Sequence, residues 1–168
     1  RRPQRGNGRT AITTLWPTCW PKPLVASGHM GGQFAAELKY AGYDGVILQG
    51  RADRPVYVSV IDEKVEIKDA RPLWGQGIRR TTVELSQQYG PEVCVAAIGQ
   101  AGENLIPMSV LMNAYSHSAG GVGAVMGSKN LKAIAVHGTG SVRIAGKKEE
   151  WEKLVKLHLS LLGANNQH

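Results

Sequence analysis

Cysteine is scarce in this chain, with Cys19 and Cys94 far apart. Two isolated thiols supply neither a zinc ligand set, nor the four thiolates of a cubane iron–sulfur cluster, nor a disulfide framework. A reducing, cytoplasmic setting is expected from that usage. No apolar run approaches the ~18 residues of a membrane span, and no segment resembles a signal peptide. Aromatic residues make up only 6% of the chain, with a single Phe. No stripe of Lys and Arg interleaved with aromatics occurs, so nucleic-acid binding is not expected. The net charge of +7 (20 Lys+Arg against 13 Asp+Glu) does not change this, because Arg1, Arg2, Arg5 and Arg9 crowd the first ten residues. The chain opens on Arg rather than Met, as expected of a processed start or of a stretch from a longer protein.

Glycine, by contrast, is plentiful: 21 of 168 residues, against an ordinary share of about 7%. Two stretches follow one plan. Gly31–Gly50 reads GGQFAAELKYAGYDGVILQG and Gly120–Gly138 reads GGVGAVMGSKNLKAIAVHG. Each opens on a Gly pair, runs through small helix-starting residues, passes a Lys, enters an apolar strand (Val46–Leu48; Ala133–Val136) and closes on Gly. A Gly pair before a helix can be a tight turn where backbones pack closely. It can also present backbone N–H groups to an anion. Two copies with the same downstream order favour the second reading, and suggest a ligand with two similar, negatively charged halves.

Thr10–Leu15 reads as a strand. Three prolines make 16–23 (WPTCWPKP) an ordered loop, with Trp16 and Trp20 either closing over a core or stacking on a ligand. Leu24–Ala26 is expected as a short strand into the first Gly pair. Gln33–Tyr40 should be a helix with Phe34, Leu38 and Ala41 on one face, ended by Gly42. Gly45–Leu48 is expected to be a buried strand. Pro55–Ile61 and Lys64–Lys68 alternate around Asp62-Glu63 as a β-hairpin. Thr81–Tyr89 reads as a Thr-capped helix, Val93–Ile98 as a buried strand, and Ile106–Met112 as a further apolar segment. Lys147–Leu162 is amphipathic, with Trp151, Leu154, Val155, Leu159 and Leu162 on one face. Many strands, few helices and frequent hairpins predict an α+β domain, rich in β-sheet, with an internal pseudo-two-fold duplication.

At GGQFAAELKYAGYDGVILQG, LWGQG (73–77), AAIGQAGENL (96–105) and GGVGAVMGSKNLKAIAVHGT (120–139) the chain resembles the N-terminal domain of the aldehyde ferredoxin oxidoreductase family. The likeness runs from about Arg9 to about Gly140. It implies residues 1–140 as a pterin-cofactor-binding domain, and 141–168 as a linker and amphipathic helix leading toward a helical domain not present here. That domain carries the thiolates for a [4Fe–4S] centre in the family.

What the resemblance implies can be followed residue by residue. Arg9 stands where the family places an Arg that meets a pterin. Gly31 matches a backbone contact to the pterin, with Gly32 beside it, and Gly120 and Gly121 form the second turn. His29 stands where relatives carry an Asn whose backbone carbonyl ligates a magnesium ion bridging the two pterin phosphates; a carbonyl ligand survives a change of side chain. Before the second pair many relatives read Arg-Ala-Ala-Gly-Arg. This chain reads Ser116-His117-Ser118-Ala119, about two residues shorter and without either arginine. His117 aligns with the first Arg and Ser118 with the second magnesium carbonyl. Read without the resemblance, His29 and His117 are hydrogen-bonded loop histidines.

The implied enzyme uses a tungsten (or molybdenum) bis-pyranopterin to oxidise a small aldehyde to a carboxylic acid. Electrons pass through the [4Fe–4S] centre to ferredoxin or another iron–sulfur partner. No general acid or base is assigned in this chain. Glu37, Glu103 and Lys129 are the tempting candidates; Glu37 and Lys129 are expected to face solvent or cap helices, and Glu103 to serve a turn. Two other classes stay open: a non-catalytic phosphate- or nucleotide-binding module, and a structural subunit that keeps the fold without the site.

Overall fold

A computed structural model describes residues 8–19, 21–22, 24–113, 117–142 and 144–164. Arg1, Arg2, Arg5, Trp20 and the side chains of His117 and Leu162 lie outside the described set. Strands β1 (Thr10–Leu15) and β2 (Val25–Met30) form an antiparallel ribbon, followed by α1 (Phe34–Tyr40). Then come β3 (Val56–Ile61), β4 (Lys64–Asp69), α2 (Ile78–Tyr89), β5 (Cys94–Ile98) and α3 (Gln100–Glu103). The chain ends with β6 (Leu111–Asn113), β7 (His117–Ala119), α4 (Gly123–Ser128), β8 (Leu131–His137) and α5 (Lys148–Ala164).

Six of these strands build one mixed sheet in the order β4-β3-β8-β5-β6-β7. The hairpin expected from Pro55–Lys68 is β3–β4, and Asp62 at its tip takes φ +50°, a left-handed conformation that Asp tolerates. Strand β8 lies between β3, to which it runs parallel, and β5, to which it runs antiparallel. Covered on both faces, it reads as a continuous buried run from Leu131 to Val136, as such strands do. Alternation sends its residues to two cores. Ile134 and Val136 pack with Phe34, Leu38, Val122 and Met126 under α1 and α4. Ala133 and Ala135 pack with Leu73, Leu85 and Val95 under α2. The architecture is helix–sheet–helix, of the expected α+β class.

Several expectations are corrected. No strand forms at Gly45–Leu48: the segment is extended coil, with Ile47 87% exposed. The two Gly-pair stretches therefore share turn and helix but not the strand, and the expected turn–helix–strand duplication is incomplete. Helix α2 starts three residues before Thr81, at N-cap Gly77; Thr81 is buried inside it and its N–H donates to the Gly77 carbonyl at 3.0 Å. Strand β2 runs on through His29 and Met30, beyond the expected Ala26. The short elements α3 and β7 were not expected. On α5, Trp151, Leu154 and Leu159 are 50%, 60% and 45% exposed. No helix among the described residues is long and apolar enough to cross a membrane.

Candidate functional site

The β1–β2 ribbon delivers one Gly pair and the β6–β7 hairpin the other. Both pairs make the same turn: Gly32 has φ +84° and Gly121 φ +72°, a region only glycine enters without strain. Each turn leads into a helix whose N-cap, Gln33 or Val122, is itself helical in backbone and offers no side-chain cap. First-turn N–H groups are therefore left for other acceptors, although Gly123 N already donates to Ser109 O at 3.1 Å.

Tertiary packing brings the two turns together. A Cβ on Gly28 would stand 3.1 Å from Ala119 Cβ and 3.6 Å from the Gly120 carbonyl, so β2 lies directly on β7. His29 follows Gly28 and Ser118 precedes Ala119, so both candidate carbonyls flank this contact, and both residues are exposed. Thr10 pairs with Met30; the register carried one step further sets the exposed Arg9 opposite Gly31. His117, paired with Asn113, joins the same edge. Arg9, His29, Gly31, Gly32, Ser118, Gly120 and Gly121 thus gather at one end of the sheet.

Asn113 is the residue that sequence reasoning missed. It is 1% exposed, and its side-chain N–H donates to the Gly31 carbonyl at 3.3 Å. That bond ties the first turn to the hairpin that carries the second. Its Oδ1 is buried with no hydrogen-bond partner among the described residues, an arrangement that calls for an explanation. Only the alternation of LMN before the second Gly pair could have hinted at it.

Trp16 takes the core-closing role. It packs on the apolar cluster, and a Cβ on Gly121 would meet its ring at 2.5 Å. The face of Gly121 is thus under the indole, whereas nothing lies within 4 Å of a Cβ on Gly120. Among the described residues, no three His, Cys, Asp or Glu side chains gather to hold a metal ion. Backbone carbonyl oxygen is what the two turns offer a cation.

The charged candidates have structural roles. Glu37 is fully buried, contrary to the expected solvent-facing or capping role. Its Oε2 accepts from Gly138 N at 3.1 Å and lies 3.3 Å from His137 Nδ1, tying α1 to the end of β8. Glu103 pairs with the fully buried Lys132 Nζ, which also donates to Gln76 O at 2.6 Å. Glu103 Oε2 accepts from Gly75 N at 2.8 Å, so the turn role expected for Glu103 is present as a clamp on residues 75–76. Burial pushes the Lys132 ammonium below its ordinary value, and Glu103 opposes that. Lys129 reaches the Gly50 carbonyl at 3.0 Å. None of the three points into the two turns.

A three-layer α+β domain with twin glycine turns at one end of a mixed sheet is the class of protein defined by this geometry. Residues 4–138 match the aldehyde ferredoxin oxidoreductase N-terminal domain, and the chain belongs to that family. It is 48% identical over 145 residues to the tungsten-containing aldehyde ferredoxin oxidoreductase of Pyrococcus furiosus, covering 84% of this chain and 24% of that protein. The same-named protein of Pyrococcus abyssi is 46% identical over 159 residues, covering 89% of this chain and 26% of its own length. Among solved structures, a chain of the active-site complex BamBC of benzoyl coenzyme A reductase superposes with a TM-score of 0.86 at 40% identity. That match covers 95% of this chain and 24% of the other. This chain therefore spans about a quarter of the length of the relatives it matches.

Proposed function

We propose that this chain is the cofactor-seating part of a tungsten (or molybdenum) bis-pyranopterin oxidoreductase that oxidises aldehydes to carboxylic acids. The observation that carries the reading is the meeting of two like glycine turns, each left-handed at its second residue, through the β2–β7 contact. Two phosphates repel. A paired backbone seat with one shared magnesium ion offsets that repulsion. The residues suit such a group: Gly31, Gly32 and Gly120 allow close backbone approach, Gly121 holds the second turn left-handed with its Cβ face under Trp16, Arg9 adds a fixed cation, and Asn113 Oδ1 is a buried acceptor without a partner among the described residues. When bound, the cofactor supplies the two-electron chemistry. This chain's own part is placement: His29 and Ser118 carbonyls toward magnesium, turn N–H groups and His117 toward phosphate, Arg9 toward a pterin.

Aldehyde is the favoured substrate because four of the relatives, 44–48% identical, are named for aldehyde oxidation. A relative named aliphatic sulfonate oxidoreductase, WOR-like subunit, is more distant at 35%. A [4Fe–4S] centre, held by thiolates outside this chain, and ferredoxin as electron acceptor complete the proposal, in the cytoplasm. Helix α5 would dock its apolar stripe on the helical domain, with residues 141–168 as the connection. The rival reading, a structural subunit without the metal site, draws on the missing arginines at 116–119.

Metal analysis of the complete enzyme decides between them. Gly31→Val should lower tungsten content by about 10- to 100-fold by blocking backbone approach. His29→Ala, which keeps the carbonyl, should leave it near the wild-type level. Loss on His29→Ala with retention on Gly31→Val would sink the backbone seat. A wild-type enzyme with neither tungsten nor molybdenum would favour the structural subunit.

A further inference from the structure

A cavity of about 670 Å³ lies on the α1 side of the sheet. Its walls are unusual. Six consecutive residues, Arg9 to Thr14, line one side, and five consecutive residues, Asp44 to Leu48, line the other. Alternate residues of a strand point to opposite faces, so a wall made of successive residues is a strand edge, not a strand face. The cavity is thus a slot between two backbone edges. Its floor is apolar: Met30, Phe34, Leu38, Ala96, Leu111 and Ile134.

Among the described residues both edges lack a partner. Among the described residues β1 pairs with β2 alone. Residues 45–49 make no backbone hydrogen bond to any described residue. Yet Val46-Ile47-Leu48 is an apolar run opening on two β-branched residues, and Ile47 is 87% exposed. An exposed apolar edge is a template for pairing, which natural proteins cover. Charged side chains are present at the walls, but Lys39 and Asp44 pair with each other and Lys129 donates to the Gly50 carbonyl, so their polar groups are engaged within the chain. The slot's two long sides are consecutive runs of chain, 9–14 and 44–48.

We infer that a β-strand from the part of the enzyme outside these 168 residues inserts between β1 and residues 45–48, converting the latter into the strand its sequence favours. This rests on the reading that the chain works within a longer enzyme. That reading follows from the chain matching only 24% of its relatives' length. The inserted strand needs about five or six residues to run the length of β1, at roughly 3.3 Å each. Its inward side chains are apolar, against Phe34, Leu38 and Ile134. Its ends can be polar, where Arg9, Lys129 and the Lys39–Asp44 ion pair stand at the walls.

Hydrogen exchange on the complete enzyme tests this. The amides of 45–49 should exchange about 100-fold or more slowly relative to an unstructured chain, and Ile47→Cys should resist thiol reagents until the enzyme unfolds. Free exchange at 45–49 with a reactive Cys at 47 would overturn the inference. So would protection that fades on dilution, which would mean a second copy fills the slot, or protection lost on extraction of a small apolar molecule. Neither readout depends on the metal. An enzyme with neither tungsten nor molybdenum but with 45–49 protected sinks the cofactor reading alone, and a metal-loaded enzyme with 45–49 exchanging freely sinks the inserted strand alone.

Discussion

After Gly32 and after Gly121 the backbone makes the same left-handed turn and enters a short helix, Phe34–Tyr40 in one stretch and Gly123–Ser128 in the other. Beyond the helices the two part. Residues 131–137 become β8, bonded on one side to β3 and on the other to β5. Residues 45–48, just as apolar, pair with no strand among the described residues and stay coil. A turn and a short helix close their hydrogen bonds within a few residues. A strand cannot, since every ladder bond needs a second segment. Similar sequence therefore gives similar turns and helices, while the strand depends on the neighbour.

The closing glycines test that difference most sharply. Gly138 ends the stretch that found partners: a Cβ there would stand 2.1 Å from Ala41 N and 2.2 Å from the Tyr40 carbonyl carbon, both backbone. Gly138→Ala should cost more than about 4 kcal/mol or abolish folding, as overpacking against backbone does at its worst. Gly50 has φ +74° and open space around its Cβ. Gly50→Ala should cost only about 1–2 kcal/mol, from the left-handed backbone. Urea unfolding of the two variants measures both, and equal losses would erase the contrast between the stretches.

A second test sits within β8 itself. Lys132 is wholly buried and held by Glu103 and the Gln76 carbonyl. Lys132→Met leaves Glu103 without its cation and should cost about 3–5 kcal/mol. The double variant Lys132→Met with Glu103→Leu should recover much of that loss, because it removes both charges. If the double variant is as unstable as the single one, the pair is not what locks residues 75–76 to β8.

The smallest effect reads the sheet through β3, the parallel neighbour of β8. Burial, then the hydrogen bond with Tyr89, raises the Tyr57 hydroxyl to about 12 from its ordinary 10.0. Between pH 10 and 12 the folded chain keeps a proton that the unfolded chain releases. Stability therefore falls as pH rises through that window and is unaffected by this group below it. Tyr57→Phe should flatten the alkaline slope of the unfolding midpoint. An unchanged slope would show that Tyr57 does not titrate with folding.

Much of this was legible beforehand. The β3–β4 hairpin followed from alternation around Asp62-Glu63, and the buried face of α1 from the spacing of Phe34, Leu38 and Ala41, all buried. What was not legible has one cause. Strand β7 is three residues of His, Ser and Ala, exists by pairing with β6, and has no periodicity to read. Helix α2 runs back past its apparent Thr cap because Gly77 can end the loop and Thr81 finds a buried place against the sheet. Glu37 looked like a surface residue on a short helix. Its burial is set by Gly138, 101 residues away along the chain.

The candidate site divides along the same line. Sequence alone determined the two Gly pairs, the helices after them and the apolar strand of the second stretch, because propensity and glycine's freedom at positive φ act within a few residues. Tertiary structure decided that the two turns meet, that Thr10 pairs with Met30 beside the first Gly pair, that Asn113 links one turn to the other, and that Val46–Leu48 is left at the edge of a slot. Those outcomes depend on which segments share a sheet. That is settled by long-range pairing and burial, and no local pattern encodes it.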